Sequence, residues 1–233
     1  MTGSETAKRS PFIKSRGLKI PKHPQLTTGQ VRGALREGRY EDRECDAAMR
    51  VVQAGDTVLE LGGGIGYMST LLSVKKQVRR VVCYEANPQL IPYIQSVHAA
   101  NDAQNVELRN ALLTPKGGDP VPFYVRQNFL ASSMDPDPNP GGIVDEVRIE
   151  QHAIGPLLNE LKPDILVCDI EGAEADVLPA GDWSGLRAAI VELHPQWIGQ
   201  QGVQAIFDTM QKAGLTYFPK ASSGKVVTFR RGW

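Results

Sequence analysis

The chain has 233 residues, 41% of them hydrophobic, which is enough to fill one sizeable core. Lys plus Arg equals Asp plus Glu at 26 each, so no global field draws phosphate backbones or anionic lipid, and neither nucleic acid nor membrane is expected as a partner. The three cysteines form no C-x-x-C spacing, no window approaches the roughly 20 apolar residues of a membrane span, and the first residues lack an apolar leader; a cytoplasmic protein with reduced thiols is the expectation.

Ahead of Thr27, six basic residues from Lys8 to Lys22 face the single acid Glu5, with Pro11, Pro21 and Pro24 interrupting any pattern. Residues 1–30 therefore read as a flexible basic arm, and 31–233 as one domain. From Val31 to Gln53 the spacing of Cys45, Met49 and Val52 predicts one helix, closed by the Gly55-Asp56 turn. Strand and helix then alternate: strand Thr57–Leu61, helix Tyr67–Lys76, strand Arg80–Tyr84, helix Pro88–Ala100, strand Val106–Arg109. That order demands parallel pairing. Between about residues 115 and 150 the rhythm breaks, because Val121–Val125 and Val144–Ile149 both alternate as strands around a Pro-, Asp- and Gly-rich stretch, so an inserted hairpin or flap is expected. Alternation resumes with helix Ala153–Leu161, strand Ile165–Cys168, a short helix near Ala173–Leu178, strand Ala188–Leu193 and helix Val203–Ala213. Strands Thr216–Phe218 and Lys225–Phe229 then close the sheet as an antiparallel pair. The fold class is α/β: a Rossmann-like, seven-stranded, mostly parallel sheet with helices on both faces and an insert between the third and fourth main strands.

The sharpest motif is Val58-Leu59-Glu60-Leu61-Gly62-Gly63-Gly64-Ile65-Gly66, an apolar strand that ends in an acid and runs into a glycine turn opening a helix. Glycine lets backbone approach a ligand closely. The dinucleotide fingerprint wants glycine or alanine where Tyr67 stands, which disfavours NAD. Glu85 follows the second strand, 25 residues beyond Glu60, near the spacing at which an acid meets ribose hydroxyls. Two carboxylates suit S-adenosylmethionine, which carries a sulfonium and an amine and no phosphate.

Two further strands end in titratable groups. Asp164–Cys168 leads to Asp169-Ile170-Glu171-Gly172-Ala173-Glu174, where Asp169 and Glu171 share a side of an extended segment, and Glu174 is expected to cap or pair at the next helix. Ala188–Leu193 leads to His194, the natural base, with Asp169 as the other candidate. A divalent cation, magnesium or manganese, on Asp169, Glu171 and His194 is an alternative that is not expected.

At these residues the chain resembles the FkbM-type family of S-adenosylmethionine-dependent methyltransferases, over roughly Val51 to Phe218. The likeness rests on Leu59 to Tyr67, on Tyr84-Glu85-Ala86-Asn87-Pro88, and above all on Asp169 to Glu174. It implies that Gly62, Gly64 and Gly66 line the methionine part, with Glu60, Tyr67 and Asp169 beside it. Glu85 and Ala86 would bind ribose, Asn110 and Ala111 would lie near adenine, and Ser132-Ser133 would meet the acceptor on a flap. The family usually has Asp at the position of Glu60, and a small residue followed by Asn where this chain has Gly63-Gly64. The implied activity is methylation of a hydroxyl on a small molecule or sugar-containing natural product. A nucleotide-dependent oxidoreductase and a non-catalytic cofactor-binding module are the alternatives, and homo-oligomerisation stays open.

Overall fold

The computed structural model describes residues 10–126 and 142–233. Its centre is a seven-stranded sheet in the order β11-β12-β10-β9-β3-β4-β5. These strands are β3 (Thr57–Leu61), β4 (Arg80–Tyr84), β5 (Val106–Arg109), β9 (Ile165–Cys168), β10 (Ala188–Glu192), β11 (Thr216–Tyr217) and β12 (Val226–Arg230). The first five pair in parallel and β12 runs antiparallel to both neighbours, so the expected mostly parallel sheet with an antiparallel edge is what forms.

Both faces of the sheet are covered, which is why its strands are continuously apolar. Along β3, Val58 joins one core while Leu59 and Leu61 join the other, as the two-residue period of a strand dictates. The first core takes side chains from α1 (Gly29–Glu37), α2 (Asp42–Val51), α3 (Tyr67–Leu71, continued to Lys76 by a wider turn) and α4 (Ile91–Ala100). The second takes them from α5 (Ile154–Leu161), α6 (Glu174–Val177) and α7 (Pro195–Lys212). Strand order reverses between β3 and β9, and the crevice beyond the carboxyl ends of these two strands is where such sheets hold ligands.

The insert is a separate three-stranded sheet, β6-β8-β7, from β6 (Leu112–Thr114), β7 (Gly118–Arg126) and β8 (Ile143–Ala153). Its hairpin buries Phe123, Val125 and Ile149 in a small core of its own. Ser132 and Ser133, and with them the flap expectation, lie outside the described residues.

Three sequence expectations need correction. Residues 12–21 are not a loose arm: β1 (Phe12–Ser15) and β2 (Leu18–Pro21) form a hairpin that buries Ile13, Leu18 and Ile20 in the first core. Its alternating lysines face outward and masked the apolar period. The Tyr93 hydroxyl ties the hairpin to α4 through Pro21 O at 2.6 Å, and Asn101 bonds both backbone groups of Lys19 at 2.8 Å. The single helix expected over 31–53 is two, because Gly38 takes a left-handed φ of 68° and caps α1. The last long helix begins at Pro195 and breaks at Gly199, whose φ of 62° and ψ of −175° are not helical.

Candidate active site

The first half of the carboxyl edge is built by β3 and β4. Gly62 has φ +89, and a Cβ there would stand 1.8 Å from the carbonyl oxygen of Asp169, so only glycine lets the ends of β3 and β9 meet. Gly64 and Gly66 also hold positive φ, and Gly66 opens α3. Glu85 points back into this turn, accepting the N–H of Gly64 at 2.9 Å and of Asn87 at 2.7 Å. Asn110 fixes the same turn by donating to the carbonyls of Glu85 and Ala86 at 2.8 and 3.0 Å. Burial pushes the Glu85 carboxyl up to about 7 despite these donors.

Glu60 is the odd member. Only 1% exposed, it leaves both carboxylate oxygens without a partner in hydrogen-bonding geometry. Burial pushes its pKa up to about 8, eased by the nearby Cys83 and Ser69 side chains and opposed by Glu85. A buried, unpaired carboxyl beside an open glycine turn is costly unless something polar or cationic arrives. Ala111 is buried in the second core beneath the turn. Tyr67 differs from expectation: its ring is fully buried, its hydroxyl sits 2.7 Å from Ser15 Oγ, and only its backbone borders the turn.

The second half is built by β9 and β10, and the structure does bring Asp169, Glu171 and His194 together. His194 Nε2 lies 3.3 Å from Glu171 Oε2 and 3.6 Å from Asp169 Oδ1. On the other side of the ring, Nδ1 lies 3.2 Å from Glu174 Oε1, which also accepts the His194 backbone N–H at 3.0 Å. Glu174 Oε2 accepts the N–H of Gly172 at 2.7 Å. Burial alone would raise the Glu174 carboxyl, but the bonds from His194 and the backbone hold it below the ordinary range, so it stays ionised and fixes Nδ1 as the donor. Burial lowers the His194 pKa, yet the Glu174 bond and the surrounding carboxylates outweigh it, and the ring ends above its ordinary value. Asp169 is pushed up to about 7, by burial first and then by the charges of Glu192 and Glu171, with His194 opposing.

Sequence reasoning missed four members of this edge. Glu192 lies two residues before His194, the same spacing that singled out Asp169 and Glu171, and could have been found. Glu44, on α2, is raised to about 7 by burial first, with the charge of Glu192 adding to the rise, and no local pattern marks it. Tyr40 and Glu41, in the turn before α2, stand over Gly64, where a Cβ would lie 3.6 Å from Glu41 Oε1 and 3.9 Å from the Tyr40 hydroxyl oxygen.

The methyltransferase FkbM domain model matches residues 60–217, which takes in both halves of this edge. The chain belongs to that family. It is therefore an S-adenosylmethionine-dependent methyltransferase in family and fold, which sets the oxidoreductase alternative aside. The buried, unpaired Glu60 carboxyl beside the glycine turn fits that cofactor, whose sulfonium and ammonium carry positive charge. No curated protein matches this chain in sequence. Among solved structures, Trm5b from Pyrococcus abyssi has 13% identity and a TM-score of 0.50, covering 94% of this chain and 55% of that one. Precorrin-6y C5,15-methyltransferase from Geobacter metallireducens GS-15 has 13% identity and a TM-score of 0.49, over 91% and 94%. TYW2 from M. jannaschii, solved with AdoMet, has 13% identity and a TM-score of 0.49, over 94% and 85%. The likeness to Trm5b is one of fold. No helix among the described residues is long and apolar enough to cross a membrane.

Proposed function

We propose that this methyltransferase methylates a hydroxyl on a small-molecule or sugar-containing acceptor, with the cofactor on the β3–β4 half of the edge and the acceptor on the β9–β10 half. The observation that carries the reading is His194, buried at a strand end, oriented through Nδ1 by an ionised Glu174 and facing Asp169 and Glu171 through Nε2. When bound, S-adenosylmethionine supplies an electrophilic methyl on a sulfonium. Glu85 and the backbone of Gly62 to Gly66 would hold it, with Ala86, Asn110 and Ala111 shaping the adenosine end. Asp169 and His194 would draw the proton from the acceptor hydroxyl as its oxygen becomes a nucleophile; the Asp169 carboxyl is pushed up to about 7 and the His194 ring is held above its ordinary value by the carboxylates around it. Much of the remaining rate would come from positioning two reactants in one crevice.

A second reading has its own observation: ligand atoms of Asp169, Glu171 and His194 all lie within 4.8 Å of one another, which suits a divalent cation that lowers the hydroxyl pKa. One experiment separates the two. Hydroxylated sugars and natural products are screened with methyl-labelled cofactor, with and without a chelator. Labelled product that survives chelation supports the His194–Asp169 base, product that needs added magnesium or manganese supports the cation, and no transfer to any hydroxyl contradicts O-methylation.

A further inference from the structure

The segment before residue 60 lies outside the family match, yet it closes over the glycine turn. Tyr40 and Glu41 sit between α1 and α2, directly above Gly64. Glu41 occupies the N-cap of α2 and its side chain makes no bond to the first free N–H groups of that helix, so its carboxyl is not spent on capping. It takes a left-handed φ of 47° instead, a conformation that costs a non-glycine residue energy. Its carboxyl approaches Gly64 beside the Tyr40 hydroxyl.

This placement is held from several sides. Arg16, in the turn between β1 and β2, donates through Nε to Gly38 O at 3.0 Å and pairs with Asp46 of α2 at 2.6 Å, pinning the chain on both sides of Glu41. The Tyr40 ring meets the edge of Tyr67 at 5.3 Å between centroids. After burial, the charges that weigh most on Glu41 are the carboxylates of Asp169, Glu44 and Glu60. Independently, Glu60 presents two unpartnered oxygens from a side chain that is 1% exposed. Carboxyls gathered at a cleft, one strained into place and one buried without a partner, call for a cation.

We infer that Glu41, steadied by Tyr40, completes the cofactor cleft from outside the family core and, with Glu60, receives the ammonium group of the methionine part of S-adenosylmethionine. This rests on the β3–β4 half being the cofactor half. It gives the N-terminal hairpin a purpose: the Arg16 clamp sets the position of a ligand-binding carboxylate.

The test compares two uncharged-sulfur probes by calorimetric titration: S-adenosylhomocysteine, which keeps the ammonium, and 5′-methylthioadenosine, which lacks the amino-acid part. Glu41→Gln keeps the shape and removes the charge. It is expected to weaken S-adenosylhomocysteine about tenfold or more, as loss of a charge-assisted bond does, and to leave 5′-methylthioadenosine within about twofold. Glu41→Asp, which keeps the charge on a shorter arm, should give a smaller loss on the first probe alone, and it serves if the glutamine variant does not fold. Unchanged S-adenosylhomocysteine affinity overturns the inference, and so does an equal loss on both probes, which would mean a collapsed cleft. A wild-type protein that binds neither probe fails at the cofactor reading itself, a result distinct from either.

Discussion

The two halves of the carboxyl edge are made of different material. On the β3–β4 side, Glu85 is held by backbone N–H groups of its own turn and of Gly64, and Gly62 is held by a clash no other residue avoids. On the β9–β10 side, His194 meets the side chains of Asp169, Glu171 and Glu174, and the charges of Glu192 and Glu44 bear on Asp169. A backbone cradle is rigid and suits a constant ligand. A network of coupled titrating groups has proton affinities that respond to each member, and that suits proton transfer.

The largest expected effect breaks the second half alone. Asp169→Asn and His194→Asn should each lower turnover about 10² to 10⁴-fold while leaving S-adenosylhomocysteine affinity nearly intact, and the double variant should be little worse than the poorer single. Additive losses in steady-state kinetics would show that they do not act on one proton.

Glu174→Gln sharpens the same half without touching the reacting groups. Misplacing the ring should cost up to about a hundredfold in turnover. The pH profile supplies the sign: the base must be neutral to accept a proton, so activity rises with pH through the His194 pKa. Glu174 helps to hold that pKa up, so its neutral replacement should move the rising limb to lower pH. A profile that keeps its midpoint while turnover falls would assign Glu174 to structure only.

Gly62→Ala attacks the seam between the halves. Its Cβ would overlap the Asp169 carbonyl at an unfavourable φ, so denaturant unfolding should show a loss of about 1 to 3 kcal/mol from overpacking and strain. Glu85→Ala removes a carboxylate suited to two ribose hydroxyls and should weaken S-adenosylhomocysteine at least tenfold, at roughly 1.5 to 3 kcal/mol per charged bond. Equal affinity in the folded variant would make Glu85 a brace for the turn alone.

The contrast also explains what the sequence could reveal. A backbone cradle leaves a local trace, because glycines must appear at fixed places after a strand and an acid must follow the next one, so Gly62, Gly64, Gly66 and Glu85 were legible. The seven strands were legible too, since burial on both faces makes each a short apolar run. Asp169, Glu171 and His194 could be found because each ends such a run. Their partners could not: Glu44 and Glu41 reach the cleft from around a helix start more than a hundred residues from Asp169, and their meeting depends on a chain fold that no short window encodes. The hairpin Phe12–Pro21 was hidden by composition, its outward lysines outweighing the alternation of Ile13, Leu18 and Ile20. Gly38, which divides the expected helix, was visible as a glycine, but its role required knowing that the chain turns back there.

The division of labour along one sheet edge is tested most directly by titrating S-adenosylhomocysteine into the wild type, Glu85→Ala and His194→Asn, because this needs no acceptor. Tight binding by the wild type, a loss of at least tenfold in Glu85→Ala and an affinity within about threefold of wild type in His194→Asn is the predicted pattern. A loss in His194→Asn as large as that in Glu85→Ala, or full affinity in Glu85→Ala, would contradict the assignment of cofactor to one half and chemistry to the other.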